Sequence, residues 1–208
     1  MVAESLPAEL SDPDREILSR VAAGDAEAFG SLVERHQERL LRLCERMLGD
    51  VEEARDVTQE VFLKAYGKAG RFQPRGQVFT WLYRIAVNHC LNRLRRKKVV
   101  QFLRLAPAAD EAAGRGETAL DPASPLADAG EQLETRERWR QVRRAIDALP
   151  SGQRSVVILA RFEGLAYRDI AEVLGITRGA VESRLFRAMR TLEKVLDGES
   201  LEPEGTRS

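Results

Sequence analysis

Residues 166–190 read AYRDIAEVLGITRGAVESRLFRAMR, and their spacing decides the architecture. Ile170, Ala171 and Leu174 form the inward side of a short helix. Gly175 follows, where a residue with positive φ is easily accommodated. Ile176 plugs the turn, Thr177 can cap a second helix, and Val181 and Leu185 pack back on the first. Small Ala171 permits close approach. This is the pattern of a helix-turn-helix, whose second helix enters the major groove of DNA. A structural helical hairpin has the same apolar spacing, so the polar face must decide between them.

That face carries Arg178, Glu182, Ser183, Arg184 and Arg187. Arg makes bidentate contacts to guanine, Glu accepts from cytosine N4, and Ser takes either role. Arg178 at the helix start and Arg190 further along fit phosphate contacts, which hold register without reading sequence.

Upstream, Trp139, Val142, Ile146 and Leu149 form an apolar stripe ending at Pro150. A helix with Ser151 as its cap follows, carrying Val156, Val157, Ala160 and Phe162 to a stop at Gly164. From 105 to 134 the periodicity collapses: Pro107, Pro122, Pro125, Gly114, Gly116 and Gly130 interrupt it, with seven acids against one Arg. This span reads as a flexible acidic linker, about 100 Å long if extended and about 30 Å as a coil.

A second helical block precedes it. Asp25 can cap a helix carrying Phe29, Leu32, Val33, His36, Leu40, Leu43, Cys44 and Met47 on one face. Gly49 stops it and Asp50 caps the next helix, with Glu52 and Glu53 in the favourable first turn. That helix buries Ala54, Val57, Val61, Phe62 and Ala65, and shows Glu52, Asp56, Gln59 and Glu60 on its other face. A loop from Gly70 to Gly76 leads to a long helix over about 77–98.

The chain is formally neutral, with 33 basic and 33 acidic residues, yet Gly67 to Arg104 holds ten Lys or Arg and no acid. Phe72, Phe79, Trp81 and Tyr83 precede the basic run Arg93, Arg95, Arg96, Lys97, Lys98. Cations neutralise phosphates and flat rings stack on unpaired bases, so single-stranded or opening nucleic acid fits this surface. A solvated basic helix over ordinary core aromatics has the same composition; Phe79, Tyr83 and Ile85 are candidates for that core.

There is no apolar run of eighteen residues, no signal-peptide start, no P-loop and no nucleophile–base constellation. Cys44 and Cys90 read as reduced core thiols, and His36 and His89 lack metal-ligand spacing. The expectation is a cytoplasmic, non-enzymatic protein without cofactor, metal or small-molecule substrate. Its fold class is all-α, with two small helical domains. The division is a tail at 1–13, a first domain at 14–104, the linker at 105–134, a helix-turn-helix domain at 135–196 and an acidic tail at 197–208.

Three motifs in order, DVTQEVFLKAY (56–66), FTWLYRIAVN (79–88) and YRDIAEVLGITRGAVESRLFRA (167–188), resemble the extracytoplasmic-function (ECF) class of bacterial sigma factors. These are two-domain initiation subunits of RNA polymerase. The resemblance implies that Asp56, Gln59 and Glu60 dock on the β′ clamp coiled coil of core polymerase, which the chain also meets through the β subunit. It implies that Arg71, Arg75, Trp81, Arg84, Asn88, Arg93, Arg95, Arg96 and Lys97 engage the −10 promoter element. It implies that Arg178, Glu182, Ser183, Arg184, Phe186 and Arg187 engage the −35 element, with Glu182 departing from the basic residue often found there. An anti-sigma factor, often in the inner membrane, is the implied controlling partner. A stand-alone helix-turn-helix regulator would explain the C-terminal block, but not the aromatic-basic stretch or the acidic helix. An all-α hydrolase or metalloenzyme would need catalytic groups the sequence lacks.

Overall fold

The computed structural model describes residues 12–72, 77–104 and 129–197. Arg75, most of the span 105–134 and the tail from 198 lie outside them. Every element among the described residues is helical, and they divide into two compact units.

The first unit opens with α1 (Pro13–Ala22). Asp12 accepts from the Asp14 N–H, Pro13 pre-sets the first turn, and Asp14 and Glu16 face the positive end of the helix. This helix begins inside the stretch expected to be a tail. The Asp12-Pro13-Asp14 start signal was present but lacked an apolar run long enough to be read as a helix. Ile17, Leu18 and Val21 bury it, and the buried Asp14 carboxylate accepts from Arg35 and pairs with His36 Nε2, each at 2.7 Å.

Asp25 caps α2 (Ala28–Leu48) through the Ala28 N–H at 3.1 Å, and Gly49 closes it in the left-handed region at φ 74. Leu32, Leu40, Leu43, Cys44 and Met47 are fully buried from this helix. Asp50 then caps α3 (Val51–Tyr66) by accepting from the Glu53 N–H at 3.0 Å. All five residues expected on its inner face, Ala54, Val57, Val61, Phe62 and Ala65, are buried. Four Ala and Val positions with no exposed surface, Ala54, Val57, Val61 and Ala65, let α2 and α4 approach closely.

After a single 3₁₀ turn at Ala69–Arg71 comes α4 (Val78–Arg104), which runs about six residues past the end its apolar spacing suggested. Its first half supplies core: Val78, Leu82, Tyr83, Ala86, Val87 and Cys90 are buried. From Arg95 to Val100 every residue is exposed, so the second half leaves the core.

The second unit contains α5 (Ala129–Ala148), α6 (Ser151–Val157) continuing into a π turn at Ile158–Phe162, α7 (Tyr167–Leu174) and α8 (Arg178–Leu196). Helix α5 begins within the span read as linker, so 129–134 are helical. Gly130 costs such a helix only about 1 kcal/mol, which the long run after it can offset. Pro150, not Ser151, is the residue ahead of α6, and Ser151 is its first helical residue. Asp147 at the end of α5 pairs with Arg143 at 3.2 Å and Arg154 at 3.5 Å, tying α5 to α6.

Two apolar assignments shift. Trp139 is exposed and Val142 half-buried, leaving Ala145 and Ile146 on α5 and Leu149 just after it as the buried stripe. On α7, Ile170 and Val173 are buried while Ala171 and Leu174 are half-buried, so the helix is rotated from its expected face.

Candidate nucleic-acid interface

Helix α4 presents two different faces. At 100° per residue, Trp81, Arg84, Asn88 and Arg95 fall in one stripe about 20 Å long. Arg84, Asn88 and Arg95 are exposed and Trp81 is half-buried. His89, Arg93 and Lys97, spaced by four, lie well round the helix and face α3 instead. There Arg93 donates to Glu60 Oε1 at 2.7 Å, His89 Nδ1 meets Glu60 Oε2 at 3.0 Å, and Lys97 pairs with Glu53 at 2.7 Å. Lys64 reaches His89 Nε2 at 3.1 Å. Thus Arg93 and Lys97, two of the cations expected to meet DNA, are half-committed to a seam with the acidic helix. The contact with His89, then that with Arg93, holds the Glu60 carboxyl below its ordinary range. Arg71 and Arg96 are exposed, and Arg75 lies outside the described residues.

The aromatic set also divides. Tyr83 is core, 1% exposed, with Phe79 edge-on to it at 6.0 Å and the Arg39 guanidinium over both rings at 5.4 and 5.9 Å. A phenol ring and an indole look alike to a composition argument; only burial separates them. Phe72 and Trp81 instead pack edge-to-face on each other at 5.2 Å, half-buried at the base of the stripe. Aromatic rings beside a cation, here exposed Arg84, are the groups on which an unpaired base can stack and its phosphate be neutralised.

On α3, Asp56 and Gln59 are exposed and Glu60 is half-buried by its seam partners. Sequence reasoning missed that Leu63, 74% exposed, and Tyr66 continue the same outward face. Tyr66 packs edge-on to Phe29 at 5.2 Å, which fixes its ring. The available signal was an apolar Leu63 outside the buried period. The face is therefore acidic at one end and apolar at the other, a composition suited to a protein partner.

In the second unit, Gly175 adopts φ 64 and the Ile176 N–H closes the turn on Ala171 O at 3.0 Å. Thr177 Oγ1 accepts from the Ala180 N–H at 3.2 Å, capping α8 as expected. Val181, Leu185, Ala188 and Leu192 bury one side. The opposite side exposes Arg178, Glu182, Ser183, Phe186 and Arg187, with Arg190 beyond. Phe186 is 64% exposed, and an apolar ring suits a thymine methyl. Glu182 is paired with Arg178 at 3.1 Å, which offsets its charge towards an approaching phosphate backbone. Arg184 is half-buried at the flank, its guanidinium against Gly152 at the start of α6.

Buried Cys44 and Cys90 are free thiols, and no group of three metal-capable side chains occurs among the described residues. No described helix is long and apolar enough to cross a membrane.

Residues 32–99 match the family model of Sigma-70 region 2, and 139–192 that of Sigma-70, region 4. The chain is 37% identical over 187 residues to the RNA polymerase sigma-H factor of Pseudomonas aeruginosa, covering 89% of this chain and 94% of that one. It is 34% identical over 179 residues to the ECF RNA polymerase sigma factor SigW of Bacillus subtilis, covering 86% and 94%. Among solved structures, CnrH in complex with the cytosolic domain of CnrY superposes with a TM-score of 0.62 at 26% identity, covering 91% of this chain and all of that one, 100%. The sigma factor RpoE of Bartonella quintana, solved with the anti-sigma factor NepR, shares the fold with a TM-score of 0.62 at 20% identity, covering 84% and 100%.

Proposed function

Because this chain belongs to the ECF family of RNA polymerase sigma factors, we propose that its two helical units divide promoter recognition between them. A sigma factor is an initiation subunit and not an enzyme: it binds core RNA polymerase and directs it to promoter DNA. In this chain the first unit, from α1 to α4, docks on core polymerase and opens the −10 element. The second, from α5 to α8, reads the −35 element through α8, and the intervening span tethers them.

The observation that carries this reading is the separation of surfaces by charge and chemistry. The outward face of α3 offers Asp56, Gln59 and part of Glu60 to a basic partner such as the β′ clamp coiled coil. Leu63 and Tyr66 extend it with apolar area, where interface energy concentrates. The α4 stripe Trp81–Arg84–Asn88–Arg95 meets the −10 strand, with Arg71 and Arg96 beside it. Arg93 and Lys97 contribute from the seam edge. No nucleotide-hydrolysing motif is present in the sequence, so strand opening draws on binding energy, a few kcal/mol per extruded base.

On α8, Ser183, Phe186 and Arg187 are the base-edge readers, Arg178 holds phosphate, and Arg184 supports the helix from its flank. Work of this kind places the protein in the cytoplasm with the chromosome. An anti-sigma factor covering the α3 and α8 faces would silence both, and one anchored in the inner membrane would hold the chain there.

Transcription in vitro with core polymerase over a random promoter library tests the whole reading. The expected products start downstream of sites with two recurrent elements. Failure of the purified chain to direct core polymerase to any start site would overturn it.

A further inference from the structure

The two carboxylate oxygens of Asp12 serve two helices distant in sequence. Oδ1 accepts from the Asp14 N–H at 3.1 Å, capping α1. Oδ2 accepts from the Val78 N–H at 2.7 Å, across a sequence separation of 66, and so caps α4. Helix α4 has little means of doing this alone. The residues just ahead of it, 73–77, read QPRGQ and contain no Asp, Asn, Ser or Thr. Its first turn contains no acid either, so Asp12 brings the negative charge that the positive helix end favours.

Helix α1 also touches the other approach to α4. A Cβ built on Gly70 in the 3₁₀ turn would meet the Ala22 Cβ at 4.0 Å, ordinary contact distance. Helix α1 is itself fixed to α2 by the Asp14 pairs with Arg35 and His36 and by buried Leu18. One short helix thus holds the chain on both flanks of the Phe72–Trp81 ring pair: Ala22 beside Gly70, Asp12 at Val78. Trp81 belongs to the same first turn, its N–H bonded to Gln77 O at 3.2 Å.

We propose that Asp12 is a positioning residue for promoter opening, fixing the first turn of α4 and thereby the Trp81 ring against Phe72. The inference rests on the −10 assignment of Trp81, but the position of the ring can be measured without DNA. Loss of a cap of this kind is worth about 1 kcal/mol, or roughly fivefold in a local equilibrium.

The test uses the full chain with Trp139→Phe, which leaves Trp81 as the sole tryptophan, the sequence having 2. Asp12→Ala should move Trp81 emission to the red and speed exchange of the Val78 amide about fivefold. Asp12→Asn keeps one acceptor oxygen and should fall between. With core polymerase, Asp12→Ala should reduce open-complex formation severalfold on duplex promoter. Its loss should be clearly smaller on a template already unpaired over the −10 element, with unchanged affinity for core.

Unchanged emission and exchange in Asp12→Ala would overturn the proposal, as would equal losses on duplex and unpaired templates. Should Asp12→Ala not fold, Asp12→Asn decides: equality with the parent in emission, exchange and opening overturns it, and intermediate values support it. A parent chain that opens no promoter would defeat the −10 assignment instead, while emission and exchange still judge Asp12.

Discussion

Glu60 and Arg93 meet across the seam between α3 and α4 at 2.7 Å, joining the helix proposed to dock on polymerase to the helix proposed to hold DNA. A carboxylate assigned to one surface is therefore a ligand for a cation assigned to the other. Asp56, one turn earlier, is exposed and allows the two roles to be separated.

Charge reversal at Asp56 should weaken core-polymerase affinity about tenfold, roughly 1.4 kcal/mol, with little change in melting temperature. Glu60→Lys should weaken docking similarly but also lower thermal stability, because Arg93 and His89 lose their acceptor. Fluorescence-anisotropy titration with core, beside calorimetry, separates the two. Unchanged affinity in both variants would remove the docking face.

Acid should reveal the same seam. The folded carboxyl of Glu60 lies below its ordinary value of 4.5, chiefly through His89 and then Arg93. A depressed carboxyl stabilises the fold above the unfolded value and ceases to do so as pH falls through the folded one. The stability difference between the natural chain and Glu60→Gln should be full at neutral pH and shrink below about pH 4.5. Urea midpoints across that range check it. A difference that grows as pH falls below about 4.5 would reverse the sign and refute the seam.

On the recognition helix, Arg187→Ala should cost about 1–3 kcal/mol at −35 sites and leave core binding intact. Equal losses in promoter binding and core binding would contradict its role. Replacing Arg178 with Ala removes the partner of Glu182, and the exposed carboxylate should then repel phosphate. Holoenzyme affinity for duplex should fall more for Arg178→Ala than for the double change Arg178→Ala, Glu182→Gln.

Turn chemistry in the second unit should be measurable directly. Thr177→Ala removes the α8 cap, and Gly175→Ala forces a side chain into φ 64. Each should cost about 1 kcal/mol, a fall of about 4–8 °C if this unit melts as a small domain. Calorimetry that shows neither change moving the transition of this unit would refute both assignments.

Much of this organisation follows from short-range rules. Asp25, Asp50, Thr177, Gly49 and Gly175 do what their residue types do at helix ends, and the buried face of α3 follows its apolar spacing. What escaped sequence reasoning is set by partners distant in the chain. Asp12 finds its second donor at Val78, and Arg93 finds Glu60, through packing that no local window contains. Tyr83 lies in the core and Trp81 at its edge because α2 covers one side of α4, not because their rings differ in composition. Val173 replaces Leu174 as the inner residue of α7 through a rotation that period alone leaves undetermined.

The thiols of Cys44 and Cys90 have no exposed surface, and they are the chain's 2 cysteines. Maleimide chemistry on the folded protein should therefore pass them by. A cysteine substituted for exposed Asn88 on α4 or Phe186 on α8 would take a spin label or dye selectively, giving a pair of reporters for ruler measurements in which neither native cysteine need be removed.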